Sequence, residues 1–242
     1  DEKIYVDDDT CPATGAGTEG NPYCSIQYAI CQLKDASGGT VLVHPGNYNE
    51  SLRMHPGISV VSTDGPSVTT IDATGKPCTR SDCQPSTINL SCSVVVYGSG
   101  VSHSDRLEGF RITGGSGLFR SYGGGDPPDA VVGGGIFIYN SSPTITNNEI
   151  VNNVLYHGST DDFWGGGIYA YSTSYNFPNS PQITNNLIEG NVANSPAGQN
   201  ANSQTFSLGG GIYVEYASPE IVNNTVAGNS AYYAGGGLYL LD

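Results

Sequence analysis

The sequence predicts an all-β protein, a right-handed parallel β-helix with a short N-terminal capping helix. Short apolar segments rich in Val, Ile and Tyr recur along the 242 residues, and such residues favour strands. Gly, Pro and Asn separate these segments, as tight turns require. Short motifs also repeat along the second half of the chain, which indicates a solenoid of stacked units.

The repeat contains three blocks. Three glycines followed by an aliphatic and an aromatic residue begin at Gly133, Gly165, Gly209 and Gly235. A Ser-Pro-x-Ile-x-Asn-Asn block begins at Ser142, Ser180 and Ser218, and a third block covers Ile150–Asn153, Ile188–Asn191 and Val226–Asn229. No block is long enough to bury a face alone. Stacked coils therefore form three parallel sheets around one apolar stripe, with right-handed connections.

The paired asparagines predict a ladder. Asn147, Asn185 and Asn223 occupy the same place in successive repeats, so we expect them to stack at a turn about 4.8 Å apart. Asn tolerates the left-handed backbone of such a turn, and its amide both donates and accepts hydrogen bonds along the stack.

The glycine motifs begin 32, 44 and 26 residues apart (133 to 165, 165 to 209, 209 to 235). The sequence assigns the extra residues to the stretch between the third block and the next glycine motif. Insertions at one point of a solenoid lie on one face. Segments 114–132, 154–164, 192–208 and 230–234 are therefore expected to lie side by side, and we call them the loop ladder.

The chain is expected to form one domain, residues 1–242, in three parts: a cap and disulfide loop (1–39), irregular coils (40–132) and regular coils (133–242). A helix is predicted from Ser25, its N-cap, to Ala36, because Ile26, Ala29, Ile30 and Leu33 have helical spacing. Further strands are predicted at 40–43, 58–62, 70–71, 93–97 and 110–113.

The last segment, Gly235 to Asp242, opens a coil that no further Ser-Pro block follows. Leu238, Leu240 and Leu241 are expected to lie on an uncapped edge, which readily recruits another strand. The sequence thus favours self-association or another domain at this edge. The chain is expected to be a fragment of a longer protein or a subunit of a filament.

Six cysteines lie within the first 92 residues, and six cysteines allow 15 pairings. Proximity along the chain favours Cys11 with Cys24 and Cys78 with Cys83, which leaves Cys31 and Cys92. No Cys-x-x-Cys pair gives zinc spacing. Disulfides imply an oxidising compartment, so a secreted or cell-surface protein is expected.

The formal net charge is −14, from 22 acids and 8 bases. Such a surface repels phosphate backbones, which argues against nucleic acid as a partner. It also repels anionic polysaccharide unless cations bridge the two. No apolar run approaches the roughly 18 residues of a membrane span.

Several stretches resemble one known superfamily: Ile4 to Asp7, Gly39 to Tyr48, Leu107 to Gly115 and the repeated coils. They are similar to the pectin-lyase-like right-handed parallel β-helices, and in particular to secreted bacterial members. The resemblance implies the fold along nearly the whole chain. Members include lyases, hydrolases, epimerases, adhesins and inert stalks, so the resemblance does not assign an activity.

The enzymes of that superfamily define what an active site would need. A polysaccharide lyase requires a base and a cation beside the uronate carboxylate, and Arg111 and Arg120 are the cations nearest the loop ladder in sequence. The polygalacturonase-like pattern of Gly-His-Gly and Arg-x-Lys is absent, although Asp161-Asp162 and His157-Gly158 are present. The leading hypothesis is therefore a non-catalytic structural, adhesive or glycan-binding module. The alternative is a carbohydrate-active enzyme, such as a lyase acting on an acidic polysaccharide.

The loop ladder is the candidate glycan site because it combines aromatic rings with carboxylates. Its residues are Tyr122, Asp126, Asp129, Tyr156, His157, Asp161, Asp162, Trp164, Phe206, Tyr232 and Tyr233. The competing interpretation is that these rings pack the loops onto the solenoid. No residue is assigned a catalytic role and no cofactor is required.

A separate acidic turn is a candidate calcium site, with Asp7, Asp9 and Glu19 as oxygen ligands. The alternative is a solvated acidic turn that binds nothing.

Overall fold

Three sheets wind around one core, and strands from successive coils pair in parallel in each of them. The computed structural model describes residues 2–36, 38–75, 83, 91–120, 129–155, 162–173, 179–193 and 206–241. The fold is a right-handed parallel β-helix, as the sequence predicts. The second and third sheets each contain six strands, which corresponds to six circuits of the described chain.

The strands of each sheet follow one another in chain order. The first sheet contains Glu2–Val6, Gly39–Val43, Ile58–Ser62, Arg106–Glu108, Thr144–Thr146, Gln182–Thr184 and Glu220–Val222. The second contains Gly46–Tyr48, Thr69–Asp72, Arg111–Thr113, Glu149–Val151, Leu187–Glu189 and Thr225–Ala227. The third contains Leu52–Met54, Val95–Tyr97, Ile136–Tyr139, Ile168–Tyr171, Ile212–Glu215 and Leu238–Leu241. Several three-residue strands of the first half were not predicted, because they are too short to show an alternating pattern.

Equivalent residues of the repeats stack in register. Ile136 pairs with Ile168 and Ile168 with Ile212 in the third sheet, and all three are fully buried. Removing a side chain of this size from water contributes about 1.5–3 kcal/mol. The repeated aliphatic residues therefore supply one continuous core along the solenoid axis.

The triple glycine marks the corner that leads into the third sheet. Gly133 has a φ of +59°, a conformation that Gly adopts without steric cost. A Cβ on Gly134 would lie 2.3 Å from the carbonyl oxygen of Gly166. The motif recurs because neighbouring coils approach too closely at this corner for a side chain.

The asparagine ladder is one position away from the prediction. Asn147, Asn185 and Asn223 do have the left-handed φ values of 56°, 57° and 56°. The hydrogen-bonded ladder, however, contains the next asparagines, Asn148, Asn186 and Asn224. The left-handed residue turns the chain, and the second side chain consequently lies inside, where backbone groups need partners.

A second ladder contains Asn153, Asn191 and Asn229, in the third block of the repeat. The Asn191 amide nitrogen also donates to the carbonyl oxygen of Ile150 at 2.8 Å. The two ladders thus satisfy backbone groups at two corners of each coil.

The three predicted sheets surround the core, and the loop ladder partly folds into a fourth, unpredicted sheet, which we call the outer sheet. It contains Ser91–Cys92, Gly117–Arg120, Ala130–Val132, Asp162–Trp164 and Ser207–Leu208. Gly117–Arg120 is antiparallel to both of its neighbours, whereas the later strands pair in parallel. Val192–Ala193 and Ser230–Ala231 form a further short pair. The insertions do lie side by side, and their stacked backbones therefore find hydrogen-bond partners in each other.

Not every insertion enters the loop ladder. Ten residues separate Tyr171 from Gln182, whereas four separate Tyr139 from Thr144 and four separate Glu215 from Glu220. A six-residue insertion therefore lies between the third and first sheets, contrary to the expectation of a single insertion point. The loop-ladder insertions differ more in length. Because the spacing between glycine motifs includes both insertions, that spacing alone does not reveal the second one.

A helix, Ile26–Asp35, covers the N-terminal end of the core, as predicted. The Ser25 side chain accepts a hydrogen bond from the Tyr28 backbone N–H at 3.2 Å. Glu50 adds a cap from the first coil, because its carboxylate accepts from the backbone N–H groups of Ile26 and Gln27. A short 3-10 helix, Asp8–Thr10, precedes it. In the described part of the chain, no helix is long and apolar enough to cross a membrane.

The disulfide prediction is half correct. Cys11 is bonded to Cys24, as expected, but Cys83 is bonded to Cys31 rather than to Cys78. Docking of the helix brings the Cα atoms of Cys31 and Cys83 to 5.3 Å, and this distance, not the separation in sequence, decides the pairing. Cys78 lies outside the described residues, as does the side chain of Cys92.

Candidate functional site

The outer sheet packs on the outward face of the third sheet and creates a second apolar cluster. Ala130, Val132, Trp164 and Leu208 come from the outer sheet, and Phe137, Tyr169 and Tyr213 come from the third. In the third sheet the aliphatic residue after the glycines faces the core, and the next, aromatic residue faces outward, because successive side chains alternate. The aromatic position of the repeat therefore builds this outer layer.

The outward rings stack from coil to coil. Ring centroids lie 5.5 Å apart between Phe137 and Tyr169, 5.3 Å between Tyr169 and Tyr213, and 5.5 Å between Tyr213 and Tyr239. Trp164 stacks on Tyr213 at 5.7 Å and is only 6% exposed. Such pairs contribute about 0.5–1.5 kcal/mol each beyond burial, so this ladder attaches the outer sheet to the solenoid.

A polar network lies beside the aromatic ladder. The Tyr169 hydroxyl donates to the Glu215 carboxylate, and Arg120 donates to the Tyr169 hydroxyl oxygen at 3.4 Å. Burial raises the pKa of Glu215, while the Tyr169 hydrogen bond and the Arg120 charge act in the opposite direction. A buried carboxyl group with a raised pKa beside a hydroxyl group is a candidate for proton transfer.

Arg120 is engaged in packing as well as in this network. Its guanidinium carbon lies 4.4 Å from the ring centroid of Tyr171, 5.7 Å from that of Tyr139 and 5.9 Å from that of Phe137. These distances are typical of cation–π contacts. Arg120 thus fixes the antiparallel strand of the outer sheet against the aromatic ladder.

The exposed aromatic residues of the loop ladder lie in its last two coils. Phe206, Tyr232 and Tyr233 are 39%, 71% and 64% exposed, and we call them the aromatic platform. The rings of Phe206 and Tyr233 meet edge to face, with centroids 4.9 Å apart. Phe206 and Tyr233 thus present a pair of packed, partly exposed rings, and the exposed Tyr232 precedes Tyr233 in the chain.

The backbone holds the platform in place. The Phe206 N–H donates to the Asp162 carboxylate at 2.6 Å, and the Tyr233 N–H donates to the Ser207 carbonyl at 3.0 Å. The Tyr232 N–H donates to the Ala193 carbonyl. These contacts anchor the rings at the end of the outer sheet without covering them.

The predicted site residues fall into three groups. Tyr122, Asp126, Tyr156, His157 and Asp161 lie outside the described residues. Asp162 and Trp164 are buried, and the Asp129 carbonyl accepts from the Asp162 N–H at 3.0 Å. Tyr232 and Tyr233 are exposed. The described part of the ladder therefore brings Tyr233 into ring contact with Phe206, leaves the neighbouring Tyr232 exposed and places Trp164 in the packing layer.

The sequence-based selection did not include Glu215, Tyr169 or Tyr171. The two tyrosines could have been found from the sequence. Each lies one or three residues after the inward-facing aliphatic residue of a glycine motif, and the alternation of a strand turns such positions outward. Glu215 has the same outward register, because it lies two residues after Tyr213 in one strand. The partner on the outer sheet, Arg120, could be identified only from the tertiary structure.

The acidic turn at the N-terminus does not form a metal cluster. Asp7 accepts a hydrogen bond from the Asp9 backbone N–H at 3.1 Å and lies 3.6 Å from His44. Among the residues that the structure describes, no group of three or more His, Cys, Asp or Glu side chains is placed to hold a metal ion. Asp7, Asp9 and Glu19 therefore do not converge, and the Asp7 carboxylate caps the 3-10 helix.

Fold and site together place the protein among the parallel β-helices that carry an elaborated lateral sheet. The chain belongs to the family described as "Protein of unknown function (DUF1565)", which matches residues 11–235. No curated protein sequence matches it. Among solved structures it is similar to pectin methylesterase PemA from Erwinia chrysanthemi, with a TM-score of 0.43, 11% identity, and coverage of 94% of this chain and 66% of that chain. The chain spans just under two thirds of the length of that esterase, and so distant a likeness assigns no activity.

Proposed function

We propose that this protein is an extracellular glycan-binding β-helix that binds its ligand on the aromatic platform. The observation that carries the proposal is the exposure of Phe206, Tyr232 and Tyr233, at 39%, 71% and 64%. Scattered exposed apolar residues are ordinary, whereas adjacent ones mark interaction surfaces. Flat rings with hydroxyl groups suit the C–H faces and the hydroxyls of sugars.

The extracellular location is supported by the two disulfides, Cys11–Cys24 and Cys31–Cys83. Such bonds persist in oxidising compartments and are rare in reducing ones. A glycan-rich exterior is also where a rigid solenoid with lateral aromatic rings has ligands available.

The non-catalytic role is favoured over the lyase alternative by the state of the best acid–base candidate. Glu215 is 8% exposed, and it faces the Tyr169 hydroxyl within the packing layer. Arg120 lies against aromatic rings. This network supports the outer sheet. The enzymatic alternative is tested by incubation with pectate, alginate or glycosaminoglycans, with and without calcium. Absorbance of products at the unsaturated-uronate band would contradict our proposal and support that alternative.

The platform is tested by affinity gel electrophoresis, in which dissolved glycans retard a protein that binds them. The platform variant, Tyr232→Ala with Tyr233→Ala, is compared with the wild type. Each ring contact contributes about 0.5–1.5 kcal/mol, so the variant is expected to lose about tenfold in affinity, which corresponds to 1.4 kcal/mol. Its unfolding midpoint should stay close to that of the wild type, because both side chains are exposed.

The control is Tyr28→Ala, which removes a 45% exposed tyrosine from the capping helix at the opposite end of the core. This variant should be retarded like the wild type. Equal retardation of the wild type and the platform variant, or no retardation by any glycan, would contradict the proposal.

A further inference from the structure

Charge is distributed very unevenly along the chain. All eight bases lie at or before residue 120: Lys3, Lys34, Arg53, Lys76, Arg80, Arg106, Arg111 and Arg120. Of the 22 acids, 13 lie in residues 1–120 and nine in residues 121–242. The second half of the chain therefore has a formal charge of −9 and contains no Lys or Arg.

The structure translates this difference along the chain into a difference along the solenoid axis. The aromatic platform belongs to the last two coils, and the strand Gly117–Arg120 lies three strands away from Ser207–Leu208 in the outer sheet. At the usual strand spacing, this separation is about 14 Å. It exceeds the Debye length of about 8–10 Å at ordinary ionic strength.

The nearest cation along the outer sheet is also occupied. The Arg120 guanidinium lies 4.4 Å from the Tyr171 ring centroid and donates to the Tyr169 hydroxyl. Its charge therefore faces the packing layer and the Glu215 carboxylate. The second half of the chain has no Lys or Arg. A uronate or sulfate group of a ligand on the platform therefore finds no cation from this half to pair with.

The carboxylates near the platform that the structure describes are not placed as ligands for a cationic sugar either. Asp162 is buried, and it accepts the Phe206 N–H at 2.6 Å. Glu215 is buried under the aromatic ladder, where it accepts from Tyr169. The groups that the platform itself offers are three uncharged rings and two phenolic hydroxyls.

We infer that the platform selects uncharged glycans and rejects polyuronates and sulfated polysaccharides. This inference rests on the proposed glycan-binding function and specifies its ligand class. The negative field of the last coils repels anionic chains, and ring stacking with hydroxyl hydrogen bonds retains neutral ones. Specificity thus arises from a repulsive element as much as from an attractive one.

The test compares polymers that share a backbone and differ in charge. Hydroxyethylcellulose is compared with carboxymethylcellulose, and fully methyl-esterified homogalacturonan with its de-esterified form. The wild type and the Tyr232→Ala, Tyr233→Ala variant run in affinity gels, in EDTA and in calcium. We expect retardation by at least one neutral polymer, at least tenfold weaker in the variant, and none by its carboxylated partner.

Platform-dependent retardation by a carboxylated polymer, in EDTA or in calcium, would overturn the inference and leave the glycan-binding proposal intact. Equal mobility of the two proteins in every gel would instead remove the binding proposal itself. A charge variant, Glu220→Lys with Glu189→Lys, provides a further check, because both glutamates are exposed. It should raise affinity for the carboxylated polymer severalfold at low salt; unchanged rejection would show that the charge of these coils does not decide specificity.

Discussion

The two halves of the β-helix share the same sheets but are stabilised by different means. In residues 2–120 a helix covers the core and two disulfides cross-link irregular segments. An ion pair at 2.9 Å between Arg111 and Glu149 joins this half to the next. In residues 129–241 the coils repeat, and identical side chains stack in asparagine and aromatic ladders. Irregular coils cannot form ladders, so cross-links replace them; regular coils need no covalent support.

The same contrast explains where the functional surface lies. The repeats allow insertions at a fixed point of each coil, and these insertions stack into the outer sheet. The first half contributes two strands to that sheet, including the antiparallel one, whereas the aromatic platform is built entirely by the second half. The regular coils thus keep the core constant while the insertions beside it vary.

The largest expected effect is on the packing layer of the second half. Trp164→Ala should destabilise the protein by about 3–5 kcal/mol, as for other buried aromatic residues, because Trp164 is 6% exposed and stacks on Tyr213. Chemical denaturation measures the loss, with Tyr232→Ala as the exposed control. A loss of glycan binding at unchanged stability would instead show that Trp164 contacts the ligand, as its place in the loop ladder suggested.

Removal of the long-range disulfide tests the first half. Cys31 and Cys83 are 52 residues apart, and opening a loop of this length costs about 4 kcal/mol on the chain-entropy account. Replacement of Cys11 and Cys24, 13 residues apart, should cost about 3 kcal/mol. Thermal unfolding of the two Ser double variants compares them, and a larger loss for the shorter loop would contradict the account.

We predict that the two remaining cysteines, Cys78 and Cys92, pair with each other. We expect thiol titration of the unfolded, unreduced protein to find no reactive thiol. Two reactive thiols would refute a third disulfide.

Replacing an asparagine of a hydrogen-bonded ladder should destabilise the protein more than replacing its neighbour at the turn. The Asn186 side chain accepts from the Asn148 N–H at 2.9 Å and donates to the Ile145 carbonyl at 3.0 Å. Asn186→Ala leaves buried partners unsatisfied, which should cost about 3 kcal/mol. Asn185→Gly is the control, since a φ of 57° suits glycine, and it should cost less than about 1 kcal/mol. Equal shifts in the urea midpoint would show that the turn, not the ladder, stabilises the coil.

The smallest expected effect is the pH dependence that Glu215 confers on the second half. Burial raises its pKa above the ordinary value of 4.5, so the folded state binds the proton more tightly than the unfolded chain does. The resulting stability is complete below pH 4.5 and is lost as the pH rises through the raised, folded-state pKa.

Glu215→Gln keeps an acceptor for Tyr169 and removes the titration. Relative to the wild type, this variant should therefore gain stability as the pH rises from below 4.5 towards neutrality, measured by unfolding at a series of pH values. Glu189→Gln, at an exposed position, is the control. A wild-type protein whose stability rises over this range relative to Glu215→Gln would contradict the prediction.

The fold class, the stacking of the repeats and the side on which the loop-ladder insertions lie could all be read from the sequence. These features follow from local chemistry: glycine at a crowded corner such as Gly134, a left-handed residue such as Asn147, and a buried aliphatic residue such as Ile168. Each recurs at equivalent places in the coils, so stacking them in register leaves one arrangement that buries every aliphatic residue. The capping helix was equally accessible, because its apolar face and its N-cap are local signals.

Three features depend on the folded structure instead: which asparagine lies inside, which cysteine pairs with Cys83, and which aromatic residues are covered. Trp164 and Tyr232 both belong to the loop ladder, and nothing in their neighbours along the chain distinguishes a ring at 6% exposure from one at 71%. The difference arises because strand Asp162–Trp164 has the next insertion stacked beyond it, whereas Tyr232 lies beyond the last strand of the outer sheet. Burial and pairing depend on distances between coils, and residues far apart in sequence set those distances.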